Sequence, residues 1–384
     1  MNRKQSILFI VPDYHTTFSY AKALEQMGWR CDIYVPPDYP EQLLFSRQNI
    51  VRYNKIASNS NRNRIIRIII QEFSWFLLNF WKYRYHVYYG RLPKFYFFEN
   101  YTIRGLHLRL DFNLSLALSK ILGSRIVYIP TGCHDEELKS KFSLIGEKSV
   151  CSSCGYENRC SDIENARNFS LVRRYSNLNI GLGYLEPSEY LSTTIKWKSV
   201  DPDVFSPHLT IPTEHVLENP NNLRVYFGFV PSGRNHLGRD IKGTNFINSA
   251  INKLASEGFN IEAMNISNMN SNLVRFYQSQ CDVVVDQLIY GWWGSTGVEG
   301  MSLGKPVVCY LRPEWKEKFY SFFPEYSTLP IIEADKDNIY EVLKTLCLDK
   351  QVLQDASKKS IEFSESHFSI SENAKAFISR LENL

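Results

Sequence analysis

A glycine-rich segment between two apolar runs holds the residues best suited to bind a phosphorylated ligand. Three glycines fall in YGWWGSTGVE, residues 290–299, and a helix is predicted to begin within this segment. Glycines let backbone N–H groups approach a ligand, and a helix N-terminus favours a diphosphate. A carboxylate one turn into the helix can accept hydrogen bonds from a ribose diol. The segment therefore predicts a nucleotide site, with Gly294, Ser295 and Thr296 at the phosphates and Glu299 at the ribose.

The two apolar runs position this segment at the edge of a parallel sheet. Residues 281–287 and 306–311 are rich in β-branched side chains, which is typical of strands buried on both faces. The helix between them ends sharply at Gly304 to Pro306. Strand, glycine loop, helix and strand in this order predict an α/β unit of the doubly wound kind.

The end of this unit resembles a known family. Residues 299–307 read EGMSLGKPV, which is similar to the donor-binding signature of retaining GT-B glycosyltransferases (group 1, family 4 type), where a Gly-aromatic-Gly loop precedes Glu-Ala-Met-Ala-x-Gly-x-Pro-Val. The resemblance implies an α/β GT-B fold, with two Rossmann-like domains facing across a cleft. It also implies transfer of a sugar from a nucleoside-diphosphate sugar to a hydroxyl acceptor, with retention favoured and no metal ion needed for catalysis.

The same resemblance assigns further donor contacts. An Arg and a Lys-Gly pair hold the donor diphosphate in the family, and Arg234, Lys242 and Gly243 occupy the matching positions, with Arg239 as an alternative to Arg234. Fixed cations stabilise the charge of a departing diphosphate. One position departs from the family, because Gly291 stands where an earlier Glu is usual. The role of that Glu in placing the donor would then pass to another residue, such as Asp286 or Gln287.

Both halves of the chain carry alternating strand and helix patterns. Residues 201–222 are rich in Pro, Asp and Asn and read as a linker. We therefore predict an N-terminal acceptor-binding domain over residues 1–205, a C-terminal donor-binding domain over residues 206–367, and a last helix over residues 368–384 that returns to the first domain.

Two residues near the start of the chain face the predicted cleft. Asp13 and His15 directly follow the apolar strand predicted over residues 7–11. Ligands of open α/β sheets bind at the carboxyl ends of strands. A neutral imidazole can act as a general base, which an inverting enzyme needs. The resemblance to retaining enzymes, which need no such base, instead implies that Asp13 and His15 contact the acceptor. A purely structural role for His15 is the alternative.

Four of the eight cysteines lie close together in the first half. Cys133 precedes the pair Cys151 and Cys154, and Cys160 follows, around an insert over residues 133–162 with few apolar residues. The chain begins without a signal-peptide pattern, so we expect a cytoplasmic protein with reduced thiols. Four thiolates favour a structural zinc site; an iron–sulfur cluster or unligated thiols are the alternatives.

Charge divides the chain unevenly. Residues 1–200 hold 27 Lys or Arg against 17 Asp or Glu, while residues 201–384 hold 17 against 23. The apolar run over residues 65–81, inside a basic and aromatic stretch, is too short to span a membrane and predicts either an interfacial helix or a core helix.

We predict peripheral contact with the inner membrane face and an acceptor that is a glycan or a lipid-linked glycan precursor in cell-surface polysaccharide synthesis. No nucleic-acid motif is present. A nucleotide-sugar epimerase and a non-catalytic scaffold are the remaining alternatives.

Overall fold

The first half of the chain is built around one parallel sheet. The computed structural model describes residues 3–10, 12–35, 41, 44–45, 50–52, 80–90, 102–103, 106–107, 114–130, 162–184, 193–218, 221–228, 242–266 and 269–384. The strands of the first half are β1 (Ser6–Ile10), β2 (Arg30–Val35), β3 (Ile50–Arg52), β4 (Tyr85–Tyr89), β5 (Thr102–Ile103), β6 (Leu106–His107), β7 (Arg125–Ile129), β8 (Leu178–Gly181) and β9 (Thr193–Thr194). Its helices are α1 (Tyr14–Gln26), α2 (Leu114–Ile121) and α3 (Asp162–Tyr175).

Within these residues, the sheet has the order β3-β2-β1-β4-β7-β8-β9, and β5 and β6 form a separate antiparallel pair. Strand β1 lies inside the sheet, and its sequence SILFI is buried at every position. An uninterrupted apolar run suits this place, because helices cover both faces of a parallel sheet. Ile7 pairs with Cys31 on one side and Tyr85 on the other.

The second half repeats the arrangement. Its strands are β10 (Leu223–Phe227), β11 (Ile261–Met264), β12 (Val283–Val285), β13 (Val307–Cys309) and β14 (Ile331–Glu333). Its helices are α4 (Thr244–Ser256), α5 (Ser271–Gln278), α6 (Ser295–Ser302), α7 (Pro313–Phe322), α8 (Ile339–Leu348), α9 (Lys350–His367) and α10 (Ile370–Glu382). The described strands form a parallel sheet in the order β11-β10-β12-β13-β14.

The last helix returns to the first domain, as the sequence predicts. Ala374, Phe377 and Leu381 of α10 are buried in the core that surrounds β1. Phe377 contacts the rings of Tyr20 and Trp197, which stack on each other at 4.2 Å. The C-terminal end of the chain therefore holds the two sheets together.

The described helices include none that is long and apolar enough to cross a membrane. Residues 65–79, most of the predicted interfacial helix, lie outside the described part of the chain. The interfacial helix therefore stays a prediction.

Candidate functional site

The predicted glycine segment lies at the carboxyl edge of the second sheet. Strand β12 lies between β10 and β13, and all three run parallel, so Gly228 and Asp286 follow neighbouring strand ends. Helix α6 begins at Ser295 after the loop that leaves β12, and Glu299 lies one turn inside it. The predicted order of strand, loop, helix and strand is confirmed.

Asp286 holds the loop between β12 and α6 in place by hydrogen bonds. Its side chain is fully buried, and its Oδ2 accepts hydrogen bonds from the N–H groups of Gly294, at 2.5 Å, and Gly297, at 3.1 Å. Its Oδ1 lies 3.3 Å from Nζ of Lys242. A buried carboxylate is tolerated here because a helix N-terminus and an ammonium group both stabilise its charge. The sequence predicts Asp286 only as a substitute for the missing Glu. The signal for its contact with the loop was its place directly after a buried strand.

The ammonium group of Lys242 and the hydroxyl of Thr296 lie close together beside Asp286. Nζ of Lys242 lies 3.2 Å from Oγ1 of Thr296, at the first turn of α6. Gly228 makes this approach possible, because a Cβ at that position would lie 2.5 Å from both of these atoms. Lys242 stands two residues before α4 begins. The role of Gly228 was not predicted from the sequence. One ammonium group, one hydroxyl and one helix N-terminus therefore converge on a single point.

Glu299 is held by both domains. Its Oε2 accepts a 2.7 Å hydrogen bond from Nε2 of the buried Gln278, and its Oε1 lies 3.4 Å from Nε2 of His15. Burial raises the pKa of Glu299 to about 7, against the partial opposition of Gln278 and Lys242. The proposed ribose contact therefore touches the first domain directly across the cleft.

His15 lies in the first turn of α1, buried between the two domains. The rings of Phe45 and Phe205 contact it at centroid distances of 5.8 and 5.1 Å. Burial, and then the nearby ammonium group of Lys198, lower the pKa of His15 to about 3. The imidazole is therefore neutral at physiological pH and weakly basic in this state.

Asp13 has structural partners. It is 2% exposed, and both carboxylate oxygens accept hydrogen bonds from Nζ of Lys198, at 3.0 and 2.8 Å. The indole N–H of Trp197 donates to the same carboxylate at 3.3 Å, and the backbone N–H of Asp13 donates to the hydroxyl of Thr17 at 2.8 Å. Its predicted contact with an acceptor stays a prediction, and in this structure it anchors the start of α1 to the segment that follows β9.

Gly291 adopts a backbone angle of φ +102° and lies against Arg312. A Cβ at position 291 would overlap Cγ, Cδ and Nε of the Arg312 side chain. Arg312 is 1% exposed, and its Nε donates a 2.9 Å hydrogen bond to the carbonyl of Tyr290. The departure from the family pattern therefore has a physical cause, because a buried guanidinium stem fills the space that a side chain would need.

The aromatic residues of the glycine loop belong to the core. Trp292 and Trp293 are both buried and stack on each other at 4.2 Å. Tyr184 of the first domain stacks on Trp292 at 4.7 Å. These contacts fix the loop that leads into α6.

Several predicted site residues fall outside the described part of the chain. They are Arg234, Arg239, Cys133, Cys151, Cys154 and Cys160, so the second diphosphate cation and the zinc site stay predictions. Of the other cysteines, Cys31, Cys281 and Cys309 are free and buried, and Cys347 is partly buried.

Comparison with known proteins identifies the fold. No protein-family model matches the sequence, and a search of curated proteins gives no match. Sucrose-phosphate synthase from Thermosynechococcus elongatus superposes with a TM-score of 0.61 at 12% identity, over 99% of this chain and 98% of that one. HepE from Anabaena, solved with UDP and glucose, gives 0.58 at 12% identity, over 98% and 99%. WaaG, a glycosyltransferase involved in lipopolysaccharide biosynthesis, gives 0.53 at 13% identity, over 97% and 99%. The chain has the GT-B fold. In this fold, the loop from β12 to α6 and the start of α1 face each other across the cleft, as the contact between His15 and Glu299 requires.

Proposed function

We propose that this GT-B protein is a glycosyltransferase that moves a sugar from a nucleoside-diphosphate sugar to a hydroxyl acceptor. The observation that carries the proposal is the convergence of Lys242, Thr296 and the N-terminus of α6, with Glu299 one turn further on. Cation, hydroxyl and amide donors suit a diphosphate, and a carboxylate suits a ribose diol. HepE has also been solved with UDP-glucose, which supports a donor of this class.

The proposed transfer reaction depends on stabilising the charge of the leaving group. Breaking the bond between the sugar's anomeric carbon and the leaving oxygen places negative charge on the nucleoside diphosphate. Lys242 and the α6 N-terminus stabilise that charge, with Arg234 as the proposed second cation. The acceptor oxygen bonds to the anomeric carbon and loses its proton. No metal ion is required for this step.

The destination of that proton bears on stereochemistry. A base whose conjugate acid has a pKa near 3 accepts protons poorly at neutral pH, and His15 is such a base in this structure. This weak basicity is unsuited to the general base of an inverting enzyme. Because the donor segment also resembles that of retaining enzymes, we favour retention, in which the departing phosphate takes the proton and His15 contacts the acceptor. The acceptor is proposed to be a glycan or a lipid-linked glycan precursor, consistent with a role in cell-surface polysaccharide synthesis at the cytoplasmic face of the membrane.

Thermal unfolding in the presence of a panel of nucleoside diphosphates and their sugars tests the donor site. We expect one nucleotide to raise the melting temperature selectively, since binding only to the folded state stabilises it. Replacing Lys242 with methionine keeps the aliphatic stem and removes the charge. The affinity of that variant for the stabilising nucleotide should fall about 10-fold or more, because a charge-assisted hydrogen bond to phosphate is lost.

Lys358→Met is the matched control, since Lys358 is exposed on α9. It should bind the nucleotide like the wild type. Each shift is measured against the ligand-free melting temperature of the same variant, because Lys242 also stabilises Asp286. A panel without any selective shift, or an equal shift in Lys242→Met and the wild type, would remove the basis of the proposal.

A further inference from the structure

Positive charge is concentrated at the edge of the first sheet that lies opposite the cleft. Residues 3–6, 80–85, 118–126 and 172–178 lead into or begin β1, β4, β7 and β8, so they meet at the amino ends of parallel strands. These four segments contain eight Lys or Arg residues and no Asp or Glu. The eight, termed the basic edge, are Arg3, Lys4, Lys82, Arg84, Lys120, Arg125, Arg173 and Arg174.

Hydrogen bonds hold the basic edge together. Nη2 of Arg3 donates to the carbonyl of Leu122 at 2.7 Å, and the Arg84 guanidinium donates to the carbonyl of Gly123. Nζ of Lys120 approaches the carbonyl of Arg174 at 3.4 Å. Burial and the charge of Arg84 lower the pKa of Arg3, as expected for like charges in close proximity. The fold therefore gathers cations at this edge from four separate parts of the chain.

The charge excess has a boundary. At the next strand, β2, Arg30 forms a 2.8 Å salt bridge with Asp32. Among the described residues, the basic edge is therefore bounded at β2 and lies on the side of the sheet covered by α2 and α3.

Large apolar side chains project from the same surface. Trp81, Ile121 and Leu122 are 49%, 78% and 38% exposed. Trp81 directly precedes Lys82 in the sequence, and Ile121 and Leu122 directly follow Lys120. Trp81 is also the last residue of the apolar run over residues 65–81. Cations bind phosphate groups, whereas exposed aromatic and aliphatic side chains are stabilised only when they leave water for an apolar phase.

We propose that the basic edge, with Trp81, Ile121 and Leu122, docks on an anionic lipid bilayer. Lys and Arg near a membrane surface attract acidic headgroups, and the three apolar tips insert at the boundary with the acyl chains. The exposed apolar tips favour a bilayer over nucleic acid or free phosphate, which would leave them in water. Strands β1 and β4, five residues each, separate this edge from the cleft by about 16 Å.

Vesicle co-sedimentation of the full chain tests the proposal without any nucleotide, so its outcome is independent of the donor chemistry. Vesicles of phosphatidylcholine alone are compared with vesicles that also contain phosphatidylglycerol. We expect binding only to the anionic vesicles, decreasing as salt is added. The double variant Lys82→Glu with Lys120→Glu should bind at least about 20-fold more weakly, since each cation near the surface contributes about fivefold. Ile121→Ser should also weaken binding, at unchanged net charge.

Charge reversal at two exposed positions elsewhere, Lys358→Glu with Lys375→Glu, is the matched control and should bind like the wild type. The melting temperature of each variant reports whether it is folded. The proposal is overturned by absent binding to anionic vesicles, by equal binding to neutral ones, or by equal losses in the control and the basic-edge variants. Binding to a duplex RNA probe but to neither kind of vesicle would also overturn it.

Discussion

Replacing Gly291 with alanine is expected to lower the free energy of unfolding by about 2–5 kcal/mol. The backbone at Gly291 has φ +102°, a conformation that L-residues rarely adopt, and this part costs about 1–2 kcal/mol. The new Cβ also overlaps the stem of the buried Arg312, and overpacking typically costs about 1–3 kcal/mol. Denaturant unfolding of the variant and the wild type measures the difference.

Gly258→Ala separates the two causes. Gly258 has φ +92° but nothing within 4 Å of the position its Cβ would take, so only the conformational part should be lost there. Equal destabilisation at the two glycines would contradict the close packing of Arg312 on Gly291. Gly291→Glu, which restores the residue usual in the resembling family, should be at least as unstable as Gly291→Ala and should not improve donor binding.

His15 and Glu299 should give opposite pH dependences of stability. The pKa of Glu299 is raised from 4.5 to about 7, so the folded state binds its proton more readily, and this residue makes the protein more stable as pH falls from 7 to 4.5. The pKa of His15 is lowered from 6.5 to about 3, so the unfolded state binds that proton more readily. This residue therefore makes the protein less stable as pH falls from 6.5 to 3.

Between pH 4.5 and 6.5 the two effects oppose each other in the wild type. Relative to the wild type, His15→Gln should gain stability on acidification and Glu299→Gln should lose it, each by up to about 1.4 kcal/mol per pH unit. Lys198, Lys242 and Asp286 face this pair and are unchanged in both variants, so taking differences from the wild type cancels their direct contribution. Unfolding measured at several pH values tests this, and profiles of both variants that run parallel to the wild type would refute it.

Local patterns were sufficient to predict the framework of the site. The apolar pattern, bounded by turn residues, predicts a helix over residues 244–256 and a strand over residues 125–129. Helix α4 (Thr244–Ser256) and strand β7 (Arg125–Ile129) have these bounds. Helix α7, Pro313–Phe322, was not predicted. Its sequence PEWKEKFYSF has the proline expected at a helix start, but Phe319 is its only buried residue.

Contacts between distant segments could not be predicted from spacing. The pairing of His15 with Glu299 joins residues 284 positions apart, and it depends on how the two sheets face each other. Gly228 is a glycine because Lys242 and Thr296 meet above it, and Gly291 because Arg312 lies on it. Each of these reasons is a packing relation in three dimensions, of which the sequence shows only one member.

Titration calorimetry tests the central claim, that Glu299 binds the ribose of a nucleotide donor. The stabilising nucleotide and its dideoxyribose analogue are each titrated into the wild type and into Glu299→Ala. Above pH 8, where Glu299 is mainly ionised, loss of the diol should weaken binding to the wild type by about 1.5–3 kcal/mol, the range for a hydrogen bond to a charged group, and should hardly affect Glu299→Ala. Equal losses in the two proteins would contradict the assignment, and no binding of any nucleotide to the wild type would contradict the donor site as a whole.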